Sequence, residues 1–148
     1  MSKIISYRGK LDIGTQDRIK LSTLNGKTGY KIHKFQMMST APGTAEEEII
    51  TKLYTKTQTG NIDPTVDFTD SQLLAAIYYQ EHNSAAYPGF EQITLDTKIF
   101  NQDIFVTTDS ANGSTTPITY YIELEVFPID DVEATQLTLQ SIRTITSR

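Results

Sequence analysis

Residues Ile118–Phe127 read ITYYIELEVF. Tyr120, Ile122, Leu124 and Val126 alternate with Tyr121, Glu123 and Glu125. Successive side chains of a strand point to opposite faces, so this pattern describes a β-strand with one buried face and one wet face. A helix would scatter the same four apolar residues around its circumference. Upstream, Asp103–Thr108 (DIFVTT) is a second run of β-branched and aromatic residues. The intervening Asp109–Pro117 (DSANGSTTP) is almost pure turn chemistry. The stretch predicts an antiparallel pair near the centre of a β-sheet protein.

Working back along the chain, Lys3–Arg8 and Arg18–Thr23 read as short strands. Asn25-Gly26 reads as a hairpin turn, since both residues tolerate positive φ. The following Gly26-Lys27-Thr28 resembles the end of a phosphate-binding loop, but that loop needs a glycine where Leu21 stands. Gly29–Ser39 is a third strand whose apolar parity slips between Ile32 and Phe35, which predicts a β-bulge near His33 and Lys34. Thr40–Thr44 is a turn. Glu46–Glu48 is read as a solvated edge leading into a strand over Ile49–Thr57, with Lys52 and Lys56 outward.

Gln58–Asp63 is a loop, and Asp63, Asp67 and Asp70 suit turns and caps better than a calcium loop, whose residue order they lack. Thr69 with Gln72 is a capping-box pattern, and Leu73, Leu74 and Ile77 fit one helix face, so a short helix is expected near 70–76, running into a strand over Ile77–Gln80. Glu81–Phe90 is a long polar loop. Gln92–Phe100 is another strand. After Pro128 the order of charges, acidic first and basic last, favours a C-terminal helix. Eight or nine short strands separated by turn signals predict an antiparallel β-sandwich or jelly roll, as a single domain over residues 1–148.

Composition narrows the function classes. A chain of 148 residues with 38% hydrophobic residues can bury a sizeable core unaided. A net charge of −5 with scattered lysines and arginines argues against nucleic acid or an anionic membrane as partner. There is no cysteine for a disulfide, a thiol nucleophile or a thiolate zinc site. The N-terminus does not read as a signal peptide, and no apolar run approaches the length of a membrane span.

Catalytic signatures are equally sparse. His33 and His82 have no companion ligand at a usable spacing, so no metal or other cofactor is expected. No Gly-x-Ser-x-Gly elbow accompanies the many hydroxyls. Glu123 and Glu125 share the wet face of one strand, but no tryptophan is present to stack on a sugar. Asn112-Gly113-Ser114 reads first as a turn. Tyr78 and Tyr79 alternate between core and rim of a strand. Tyr87, Pro88 and Phe90, within a turn-rich loop, are the candidate partner contact, because tyrosine offers a large surface with a polar tip. No catalytic residue is predicted.

Four stretches, GYKIHKFQMM, VDFTDSQLLAAIYYQEHNSAAYP, KIFNQDIFVT and YYIELEVFPIDD, together resemble small β-rich virion structural proteins of marine tailed bacteriophages, from about Gly29 to Ile142. The resemblance implies a non-enzymatic protein made in a host cytoplasm and carried in the virion. On that footing the expected role is a capsid decoration or cement subunit, a homo-oligomer contacting the major capsid protein or other virion proteins. The alternative is a tail or fibre domain that binds host-surface glycan. A small hydrolase is the third reading. The resemblance assigns no functional residues.

Overall fold

The computed structural model describes residues 3–21, 27–43, 46–81, 89–94, 99–130 and 136–137, with 89–94 as backbone only. The alternating stretch is a strand, β8 (Ile118–Pro128). Its Ile118, Tyr120, Ile122 and Leu124 are buried, and Val126 packs against the same core. β8 is flanked by β1 (Lys3–Leu11) and β3 (Thr28–Ser39), both antiparallel to it, in a three-stranded sheet. The expected bulge lies in β3, where the register shifts between Ile32 and Lys34. The extra residue, His33, turns Phe35 and Met37 onto the face already occupied by Tyr30 and Ile32, so the apolar side of β3 stays unbroken.

DIFVTT is also a strand, β7 (Ile104–Ser110), yet it does not pair with β8. It lies in a second sheet, ordered β2 (Thr15–Ile19), β7, β4 (Glu47–Tyr54), β5 (Leu73–Glu81), β6 (Gly89–Thr94). The antiparallel pair read from 103–127 is therefore corrected: 111–117 crosses from one sheet to the other. Two amphipathic strands bury their apolar faces as well in opposed layers as side by side, and this connection is longer than most hairpin loops.

The pairings β1 with β8, β2 with β7 and β4 with β5 are those of one long hairpin wound up on itself, the jelly-roll arrangement of a β-sandwich. β6 departs from that winding. It adds to β5 instead of closing the smaller sheet beside β3. On the side away from β8, β3 makes the isolated bridge Tyr30–Phe100, where the two rings stack with centroids 6.0 Å apart.

Between the sheets lie Phe35, Ile49, Leu53, Ile77, Ile104, Val106, Ile122 and Leu124, all essentially inaccessible. Several polar groups inside the sandwich are paired across strands or layers. Thr51 and Thr108 face each other at 3.1 Å, and the Tyr120 hydroxyl donates across the layers to Asp17 Oδ2 at 2.8 Å. Asp103 secures the end of β2 by accepting from Arg18 Nε at 2.6 Å and from the Leu21 amide at 2.7 Å.

Three expectations are revised here. The helix near 70–76 is absent: a turn at 71–72 leads directly into β5. The residues from Leu73 to Ile77 are all buried, because β5 is covered on both faces at this end, and a doubly covered strand loses the alternation that distinguishes it from a helix. Glu46–Glu48 is not a solvated edge, since β4 runs between β7 and β5 and places Glu47 at 0% exposure on the inner face. Lys52 does project from the outer face, but it is only 4% exposed because residues 55–72 fold over it. The turn expected at Asn25-Gly26, His82, most of the expected Glu81–Phe90 loop, part of Gln92–Phe100 and most of the stretch expected as a C-terminal helix lie outside the described residues.

Candidate functional site

Of the contact residues read from sequence, Tyr87 and Pro88 lie outside the described residues, and Phe90 is described only as backbone, paired opposite Tyr79 in β5. The two tyrosines before that loop are placed. Tyr78 projects from the outer face and donates to Glu48 Oε1 at 3.3 Å. Tyr79 packs against the core and donates to Glu81 Oε2 at 3.0 Å. Burial, that hydrogen bond, and the charges of Glu81 and Glu47 together push the Tyr79 hydroxyl up to about 12. The other oxygen of Glu81 accepts the Gly43 amide, which ties the 40–43 turn to β5. Inside the same end of the sandwich, Ser39 Oγ donates to Glu47 Oε1 at 3.0 Å.

The outer face of the larger sheet carries a feature that sequence reading did not assemble. Residues 55–72 cross it as a loop built on three successive side-chain turns. Asp63 Oδ1 accepts the Thr65 amide at 3.0 Å, Asp67 Oδ1 accepts the Thr69 amide at 2.9 Å, and Asp70 Oδ1 accepts the Gln72 amide at 2.9 Å. An aspartate that bonds the backbone two residues on holds a bend without any helix or ladder. Asp67 also accepts from the Thr69 hydroxyl at 2.6 Å, and these bonds hold its carboxyl below the usual carboxylate range. The turn role read for these aspartates agrees with this geometry. Among the described residues no group of three or more His, Asp or Glu side chains is arranged to hold a metal ion.

Beneath the loop, Lys52 Nζ donates to the Thr65 carbonyl at 2.6 Å and lies 3.6 Å from Asp63 Oδ1 and 5.6 Å from the centroid of the Tyr54 ring. Gln16 on β2 clamps the start of the loop, accepting the Gln58 amide at 2.7 Å and donating to Thr57 Oγ1 at 3.0 Å. At its outermost turn the loop exposes Val66 (37%) and Phe68 (54%) on either side of Asp67. Their sequence signal was available: two large apolar residues set among turn formers, in a segment too short to hide them. Ile4 and Met38 are the other exposed large apolar side chains among the described residues, and both lie on strands of the smaller sheet.

The remaining candidates are accounted for locally. His33 is exposed at the bulge, 3.7 Å from Glu123, whose other oxygen accepts the Tyr121 hydroxyl. Asn112 staples the 111–117 crossing to β4 by accepting from the Glu48 amide and donating to the Glu46 carbonyl, and Gly113 adopts φ 82°, so Asn-Gly is here a turn. A cavity of about 490 Å³ opens beside Met37, Ile77, Tyr79 and Tyr120.

No family model matches the chain, and no curated protein matches it. Among solved structures, a chain from the single-particle structure of maize chlorotic mottle virus is similar over 88% of this chain and 93% of that one, at 8% identity and a TM-score of 0.31. A superposition that loose adds nothing to what the strand pairing already gives.

Proposed function

We propose that the protein is a non-enzymatic virion structural protein, a decoration or cement subunit on a capsid exterior that acts through protein–protein contacts. Its place in a virion rests on the resemblance of the four quoted stretches to phage structural proteins. The contact mode rests on one structural observation: the 55–72 loop presents Val66 and Phe68 to solvent from a backbone fixed by Asp63, Asp67 and Asp70. A preformed apolar protrusion loses little conformational entropy on docking, so more of its burial appears as affinity. Tyr87, Pro88 and Phe90 form a second contact in this reading. The partners are the major capsid protein or other virion proteins together with further copies of the chain, and symmetric copies turn weak contacts into firm attachment.

The test is titration of the protein onto particles stripped of it. Saturable binding is expected, with Val66→Ser plus Phe68→Ser weakening it by on the order of tenfold or more while the melting curve is unchanged. Tyr87→Ala with Phe90→Ala is expected to weaken it independently. Absence of binding to the stripped particle would overturn the proposal.

A further inference from the structure

Between the 55–72 loop and the outer face of the larger sheet lies a polar cleft of about 270 Å³. Lys52, Tyr54 and Thr107 line it from the sheet, and Asn61, Asp67 and Asp70 from the loop. Thr107 sits opposite Lys52 in the β4–β7 ladder and is fully buried. Its Oγ1 is the unsatisfied group of the cleft, with no hydrogen-bond partner. Buried hydroxyls are nearly always bonded, so this atom points to something that bonds it. Beside it the Lys52 ammonium has three hydrogens and two oxygen neighbours, Thr65 O and Asp63 Oδ1.

The charges select the ligand. Three carboxylates, Asp63, Asp67 and Asp70, line the cleft against the single ammonium of Lys52, so an anion is repelled. A cation would share the space with Lys52, and the carboxylates already bond the loop's own amides. What remains is a neutral group that accepts from the ammonium and the Asn61 amide while donating to the carboxylates and the threonine. A hydroxyl does both at one atom. The cleft volume lies just below the range of drug-sized small-molecule sites, which limits the occupant to about one ring with several hydroxyls. We infer that this cleft binds a neutral, hydroxyl-rich ligand of the size of a single sugar residue. The inference does not depend on the capsid reading, because it uses the sheet side of the loop and not the exposed Val66 and Phe68.

The experiment is a two-dimensional amide NMR titration of the full chain with glucose, galactose, mannose and N-acetylglucosamine, each taken well into the millimolar range, with glucuronate as the anionic control. Saturable shifts are expected for at least one neutral sugar, centred on residues 52–54, 58–70 and 107, with glucuronate binding more weakly than glucose. Asn61→Ala, in an exposed stretch where the fold is not at risk, should weaken binding about tenfold. Thr107→Val keeps the side-chain shape and should also weaken it, without lowering the melting temperature. If no neutral sugar produces saturable shifts at these residues, or if Asn61→Ala leaves the shifts unchanged, the cleft holds only water and the inference fails. Loss of capsid binding with sugar binding intact would leave it standing.

Discussion

Gly9 offers the sharpest test of how the two sheets are joined. It lies in β1 opposite Tyr120 of β8, and a Cβ at this position would come within 2.7 Å of the Tyr120 hydroxyl oxygen and 2.8 Å of the ring carbon bearing it. The ring is rigid and 5% exposed, so it can yield only by moving as a body. Its hydroxyl donates at 2.8 Å to Asp17 Oδ2 on β2, a bond that spans the sandwich. Gly9→Ala should therefore overpack the site, at roughly 1–3 kcal/mol, and pull that hydroxyl out of range. Loss of a bond to a charged acceptor adds about 1.5–3 kcal/mol, and the reduced freedom of the unfolded chain offsets about 0.4–1 kcal/mol. The net destabilisation is about 2–5 kcal/mol. Urea denaturation at neutral pH measures it, as a lower midpoint with an unchanged slope. Tyr120→Phe should by itself cost about 1.5–3 kcal/mol, and much less when alanine already occupies position 9. A neutral Gly9→Ala, or Tyr120→Phe equally costly in both backgrounds, would refute this account of the joint.

Leu124→Ala on the inner face of β8 should cost about 2–5 kcal/mol, whereas Glu123→Ala on the outer face should stay within about 1 kcal/mol in the same denaturant assay; similar effects at both would mean the faces are misassigned. Stability should hold up to about pH 10 and then fall, because the unfolded chain releases tyrosine protons there while folded Tyr79 holds its proton to about 12 and Tyr120, buried and bonded to Asp17, holds its own well above the ordinary tyrosine range. Urea midpoints measured from pH 9 upward check this, and a flat profile to pH 12 would contradict it. Lys52→Met, which keeps the stem packed under the loop, should change stability by less than about 1 kcal/mol, while Lys52→Ala, which empties that volume, should cost about 2 kcal/mol or more by thermal melting.

What the sequence disclosed follows from where each strand lies. β8 could be read directly, because only its inner face is fully buried and its alternation is intact from Ile118 to Val126. The bulge at His33 could be read because both halves of β3 keep clear apolar parity. β5 could not, since the loop and the core cover it from both sides and Leu73–Ile77 becomes a continuous apolar run. Glu47 and Lys52 misled for a related reason. A charged residue reads as exposed unless its partner is known, and their partners, Ser39 and Thr65, are set by tertiary contacts. The choice between pairing β7 with β8 and opposing them in separate layers is likewise a matter of topology, because either arrangement buries the same side chains. The polar cleft was invisible for the same cause: its Lys52 and Thr107 are 55 residues apart in the chain and meet only through the β4–β7 register.

The placement of β6 has a consequence for how the protein can meet a neighbour. By joining β5, it leaves β3 as the outer strand of the smaller sheet, touched at the Tyr30–Phe100 bridge. An outer strand is a template for pairing with another chain unless something spoils it. β3 has two such devices: the bulge at His33 breaks the regular spacing of its backbone groups, and Lys31 and Lys34 set charge beside the break. β1, the opposite border of that sheet, carries Lys3, Arg8 and Lys10, and β2, the border of the larger sheet, is only five residues long. Strand addition at these borders is thus discouraged by bulge, charge or length. Contacts between copies, or with a shell, are better made by side chains on turns, and the described turn that offers apolar side chains on a fixed backbone is the one carrying Val66 and Phe68. On the proposed capsid role, the devices on β1, β2 and β3 would keep neighbouring copies from pairing through those three strands and leave contact to the presented loop.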